Sequence, residues 1–127
     1  MNARTVTPLL VLALLAVGSA VAQQHPVRQQ YLYVLRLAPQ YHEEAAWTDA
    51  EDTVVARHFE RLAEAARAGQ VILAGRTTED LDSTFGLVIF EADNEASARE
   101  FMLSDPVVVA RLMTATLHPY AVALQRE

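Results

Sequence analysis

His58 stands near the middle of Thr48–Ala68, a stretch whose residues Val55, Phe59, Leu62 and Ala66 recur at the spacing of one helical face. Arg57, Glu60, Arg61, Glu64 and Arg67 fill the other face. His58 follows Val55 by three residues and precedes Leu62 by four, so its ring is directed along or beside the apolar stripe. An imidazole titrates near neutrality, so one set against an apolar surface can exchange a proton with a bound molecule. By spacing alone the commoner role is a partly buried helix histidine satisfied by a backbone carbonyl. Asp105 is the second residue of interest. Directly before Pro106, it suits the N-cap of a short helix, a role worth roughly 1 kcal/mol by itself.

Other chemistry is limited by what the chain lacks. The 127 residues contain no Cys, and every one of the 10 basic residues is Arg. Thiol nucleophiles, disulfides, iron–sulfur ligation, lysine Schiff bases and a P-loop lysine are therefore excluded. No H-E-x-x-H spacing exists, so no metal site is expected, and no G-x-S-x-G elbow occurs. Gly75 and Gly86 are isolated in strand segments, which leaves no phosphate cradle. One His would suffice as a haem ligand, but no attachment motif accompanies it, and no cofactor is expected. His25, His42 and His118 fall in a polar lead-in, a loop and a strand start, where surface roles are the expectation. The formal net charge of −6 gives no electrostatic reason to bind nucleic acid or an anionic membrane surface, leaving small molecules or protein partners.

The elements that must position His58 and Asp105 are legible in order. Residues 1–22 carry Arg4, an apolar run from about Leu9 to Val17 and then Ala20-Val21-Ala22, the pattern of a cleavable signal peptide. The expected result is a periplasmic or secreted protein with no membrane attachment after cleavage before Gln23. Residues 23–30 read as a flexible lead-in and 31–127 as one domain. Tyr31–Leu37 is a strand with Tyr31, Tyr33, Leu35 and Leu37 on one face and Leu32, Val34 and Arg36 on the other. Thr48 and Glu51 cap the His58 helix, and Gly69 closes it. Val71–Arg76 and Phe85–Glu91 are the next strands. A helix capped by Asp93 or Asn94 ends near Ser104, a short helix covers Val107–Thr114, and Leu117–Gln125 is the last strand.

This order fits an α+β, ferredoxin-like split βαβ unit, with a four-stranded antiparallel sheet and the helices on one face. The open face should then be polar. Leu32, Val34, Leu87 and Ile89 make it apolar instead, and the economical cover is the same face of a second copy, giving a homodimer.

The segments ARHFERL (Ala56–Leu62), AGQVILAGR (Ala68–Arg76) and LSDPVVVARL (Leu103–Leu112) resemble the YCII family of the dimeric α/β-barrel superfamily, over Tyr31 to about Tyr120. The resemblance implies a ferredoxin-like fold, a dimer and an active site built on a His–Asp pair, which falls here on His58 and Asp105. A carboxylate on the second ring nitrogen would fix the tautomer and stabilise the imidazolium, making the pair a general acid–base. Family members commonly have Pro after the Gly of the second strand, and this chain has Arg76. Two readings of Arg76 are open: an ion pair with the acidic loop Glu79–Asp82, the commoner fate of an exposed Arg, or contact with an anionic ligand. Tyr33 and Arg36 are further candidates to line a substrate pocket, although first-strand residues of this kind more often serve core or interface.

Two functions follow. One is an exported small-molecule enzyme using His58 as proton shuttle and Asp105 as its orienter, for proton transfer, lyase-type elimination or hydrolysis. The other is a non-catalytic ligand-binding or interaction module on the same dimeric fold.

Overall fold

A computed structural model describes residues 28–127. The signal-peptide pattern of residues 1–22, most of the lead-in and His25 lie outside the described residues. The elements are β1 (Gln29–Leu37), α1 (Asp49–Arg67), β2 (Val71–Arg76), β3 (Phe85–Ala92), α2 (Glu95–Leu103), α3 (Pro106–Val109) and β4 (Met113–Pro119). Two single 3-10 turns, Pro39–Tyr41 and Glu44–Ala46, occupy the expected loop before α1. The strands form one antiparallel sheet in the order β2-β3-β1-β4. With the helices packed on one face, this is the α+β ferredoxin-like arrangement.

Local chemistry sets the ends of α1. The Thr48 side chain accepts from the Ala50 N–H, and the Glu51 carboxylate accepts from the Thr48 N–H, a reciprocal capping box. At the other end Gly69 adopts φ +82°, and the Gln70 and Gly69 amides donate to the Ala65 and Ala66 carbonyls. A Cβ would strain that left-handed turn, which is why glycine stops the helix there.

α3 closes in the same way with a residue that gives no warning. Arg111 has φ 58°, and the Arg111 and Leu112 amides donate to the Val108 and Val107 carbonyls. The helix therefore stops at Val109 and not near Thr114. Chain reversal at Arg111 tucks Leu112 into the core and starts β4 at Met113, opposite Leu37, four residues before the expected Leu117. β4 ends at Pro119, which has no N–H to donate, and residues 120–127 form no further strand.

β1 alternates as its pattern requires. Tyr31, Tyr33, Leu35 and Leu37 are buried beneath the helices, whereas Leu32 and Val34 are half-buried and Arg36 is exposed on the open face. Val88 and Phe90 join the inward face from β3, and Leu62, Ala65, Ala98, Met102, Val107 and Leu112 close the core from above. Phe90 touches Tyr33 edge-on at 5.5 Å and Phe101 at 4.8 Å, so an aromatic column connects β1 to α2.

α1 is rotated relative to the face expected from periodicity. Its inward side runs through Val54, Val55, His58, Arg61, Leu62 and Ala65, while Ala66 is exposed and Phe59 is 73 % exposed. The helix covers the sheet incompletely on the β2 side. Phe59 and Ala66 overhang the resulting cleft instead of filling the core.

Candidate active site

His58 arrives from the middle of α1 and Asp105 from the N-cap of α3. His58 Nδ1 lies 2.7 Å from Asp105 Oδ1 and 2.9 Å from Oδ2. The Asp105 side chain is 0 % exposed and that of His58 16 %. Two other donors converge on the same carboxylate. The Tyr33 hydroxyl donates to Oδ2 at 2.7 Å, and the Val107 N–H donates to Oδ1 at 3.2 Å. Oδ1 thus caps α3 and holds the imidazole at once, leaving Oδ2 to be fixed from the sheet.

The partners of the carboxylate indicate which ring nitrogen faces it as a donor. Burial pushes the Asp105 carboxyl up, but the hydrogen bond and charge of His58, the Tyr33 hydroxyl and the Val107 amide together hold it below its usual range. An ionised carboxylate only accepts hydrogen bonds, so Nδ1 bears the hydrogen and, whenever the ring is neutral, Nε2 carries the lone pair. Burial first, and then the Asp105 charge, raise the Tyr33 hydroxyl far above the ordinary tyrosine range. Tyr33 therefore remains a donor at any working pH.

Arg61, one turn beyond His58, completes the surroundings of Asp105. Its guanidinium lies over the Phe101 ring at 4.2 Å, and Nη2 donates to the Phe101 carbonyl and Ser104 Oγ, both at 2.8 Å. Nη1 is buried without a hydrogen bond, 4.0 Å from Asp105 Oδ2. Arg61 therefore supplies positive charge near the carboxylate without displacing the imidazole from it.

Among the described residues Nε2 of His58 has no hydrogen-bond partner. His58 borders a cleft of about 620 Å³ between α1 and the β2–β3 end of the sheet. That size lies within the roughly 300–1,000 Å³ usual for small-molecule sites. Leu35, Val55, Phe59, Leu62 and Val88 give the cleft an apolar lining, and Arg76 stands on its border.

The other sequence candidates separate. Tyr33 is wholly buried and does not reach the cleft; its partner is Asp105. Arg36 is on the opposite face of β1, with its guanidinium 5.1 Å from the Phe85 ring centre. Arg76 makes no ion pair with Glu79–Asp82, since no carboxylate among the described residues lies within 4.0 Å of it. His42 Nε2 meets the Leu37 carbonyl at 3.2 Å, and His118 is exposed on the open face of β4. No group of three or more potential metal ligands occurs among the described residues. Periodicity puts Arg61 on the solvent side, whereas the structure turns it inward to Asp105; its position three residues after His58 sets the two on adjoining parts of the helix surface.

The YCII-related domain profile matches residues 31–116, the greater part of the chain, including every residue of the His58–Asp105–Tyr33–Arg61 group. The protein belongs to the YCII-related family. Among solved structures, this YCII-related chain is similar to the 5-chloro-2-hydroxyhydroquinone dehydrochlorinase of Burkholderia phenoliruptrix AC1100, solved in complex with 2,5-dihydroxybenzoquinone. The identity is 20 %, the match covers 72 % of this chain and 93 % of that one, and the TM-score is 0.50. A likeness at that identity establishes the shared fold. No curated protein matches the YCII-related chain.

Proposed function

We propose that this YCII-related protein is a small-molecule enzyme in which His58 moves a proton through Nε2 while Asp105 holds Nδ1–H. The observation that carries this reading is the fully buried Asp105 carboxylate on one ring nitrogen, with the other nitrogen unpartnered among the described residues beside an apolar cleft. That arrangement presents a base of fixed tautomer and stabilises the imidazolium it becomes. Elimination is the reaction class we favour among proton transfer, elimination and hydrolysis. Nε2 takes a proton from the substrate, the released electron pair forms the new double bond, and the leaving group departs with its own pair. A fold shared with a dehydrochlorinase supports this choice. The test is chloride release from chlorinated hydroxyhydroquinones by the wild type and the His58→Gln protein. Equal rates in the two would remove His58 from the chemistry.

The assembly we infer is a homodimer. Leu32, Val34, Leu87 and Ile89 lie half-buried on the sheet face away from the helices, and Leu73 at its edge is 55 % exposed. A face of that composition is stabilised by a matching face of a second copy. Sedimentation at micromolar concentration is expected to give twice the chain mass, and a single-chain mass would rule the dimer out.

Export, followed by loss of residues 1–22, completes the reading. It is supported by the Arg4, apolar and Ala20-Val21-Ala22 pattern. The exported chain should begin at Gln23 by mass, and retention of Met1 would contradict it. Among the described residues no helix is long and apolar enough to cross a membrane.

A further inference from the structure

Arg76 ends β2 opposite Gly86 of β3, which in turn lies opposite Leu35 of β1. Leu35 is buried beneath the helices, and paired residues of antiparallel strands share a face, so Arg76 belongs to the α1 side of the sheet. Between Leu35 and Arg76 the floor carries no side chain, because Gly86 stands there. A Cβ added at Gly86 would meet nothing closer than the Gly75 carbonyl oxygen at 3.5 Å. The gap is therefore not required by packing, and it extends the His58 cleft toward the guanidinium.

The charge around this cleft is unusual for so acidic a chain. The protein has 16 Asp and Glu residues, yet none of them borders the cleft, whose titratable members among the described residues are His58 and Arg76. Arg76 also borders a second cleft of about 410 Å³, but that one has Glu44 and Asp52 on its own wall. An anion would meet carboxylates on that wall, whereas the carboxylate nearest the His58 cleft, Asp105, is fully buried behind the imidazole and faced by Arg61. An exposed guanidinium without a carboxylate partner, at the border of an otherwise apolar space, has the chemistry of an anion clamp.

We propose that the His58 cleft binds a small organic anion with an apolar body. Arg76 pairs with its anionic oxygens, and Val55, Phe59 and Leu62 cover its carbon skeleton. This substrate class rests on the acid–base reading of His58 only for what happens after binding. Occupancy itself depends on Arg76 and the apolar walls.

The test is a nuclear magnetic resonance titration of the full mature chain with 2-naphthoate and with its neutral analogue 2-naphthamide. Naphthoate is expected to shift the amides of Val55, His58 and Gly86, and to bind about tenfold more weakly to the Arg76→Gln protein. Naphthamide is expected to bind both proteins alike and more weakly than naphthoate binds the wild type. Gly86→Ala, whose methyl enters the floor of the cleft without a clash, should weaken both probes. The proposal is overturned if acid and amide bind wild type equally, if Arg76→Gln changes nothing, if the shifts fall outside the cleft, or if neither probe binds at millimolar concentration. The two readings fail separately. Arg76-dependent binding together with full turnover in His58→Gln would leave the clamp and remove the catalyst, whereas lost turnover with no preference for the acid would do the reverse.

Discussion

His58→Gln is expected to lower kcat/KM for the proposed elimination by about 10²- to 10⁴-fold, the usual share of a positioned general acid–base. Glutamine is neutral and can still donate an amide hydrogen to Asp105, so the carboxylate keeps a partner and the fold persists. What disappears is the basic lone pair at Nε2. Asp105→Asn should produce a loss of the same order by a different route. An asparagine can turn its NH₂ toward the ring, which places a lone pair on Nδ1 and the hydrogen on Nε2, the wrong tautomer for removing a proton. The two effects should not add, because each removes the same functional unit. Steady-state kinetics on the single and double variants would show this. A double variant slower than His58→Gln by the full Asp105→Asn factor would mean that Asp105 acts elsewhere.

The largest effect on stability is expected at Asp105→Ala. The substitution strands the His58 Nδ1–H, the Tyr33 hydroxyl and the Val107 N–H, and it leaves the Arg61 guanidinium with a buried, unpartnered Nη1 and no nearby carboxylate. Removing one partner from a buried charged group typically costs about 3–5 kcal/mol, much of it for the charge left behind. Urea unfolding of Asp105→Ala should show a loss in that range, and Asp105→Asn, which retains the shape and part of the hydrogen bonding, a smaller one. A loss below about 1 kcal/mol in Asp105→Ala would show that the network contributes only its helix cap.

The pH dependence follows from the same carboxylate. Its folded value lies below the ordinary one, so its contribution is fully present above the unfolded pKa of about 3.9 and is lost as pH falls through the folded value. The stability gap between wild type and Asp105→Asn should therefore shrink as the pH falls below about 4. A gap that stays the same down to pH 2 would show that folding does not hold the Asp105 carboxyl below its ordinary value.

Several parts of this site were readable because they depend on near neighbours in the chain. Thr48, Glu51 and Gly69 bound α1 through contacts within a few residues, and alternation in β1 assigned Tyr33 and Arg36 to opposite faces. The end of α3 was not readable in this way. Its left-handed closing residue is Arg111, and nothing in an Arg side chain announces that conformation. The start of β4 moved with it.

What the sequence by itself determined is the order of elements, the residues that face each side of β1, and the presence of one titratable side chain on the inward part of a capped helix. These rest on backbone periodicity and on caps, which act over a turn or two. The resemblance implied a pair of His58 with Asp105; the tertiary structure supplied their contact across 47 residues, and it alone decided that Asp105 also meets Tyr33 across 72, that Arg61 turns in while Phe59 stays out, and that Arg76 finds no acidic partner among the described residues. The reason is that a helix with an apolar stripe can settle on a sheet over a range of rotations. Its final angle here is the one that buries Leu62 and Ala65 and brings His58 and Arg61 to a buried carboxylate that otherwise has only the Tyr33 hydroxyl and the Val107 amide as partners.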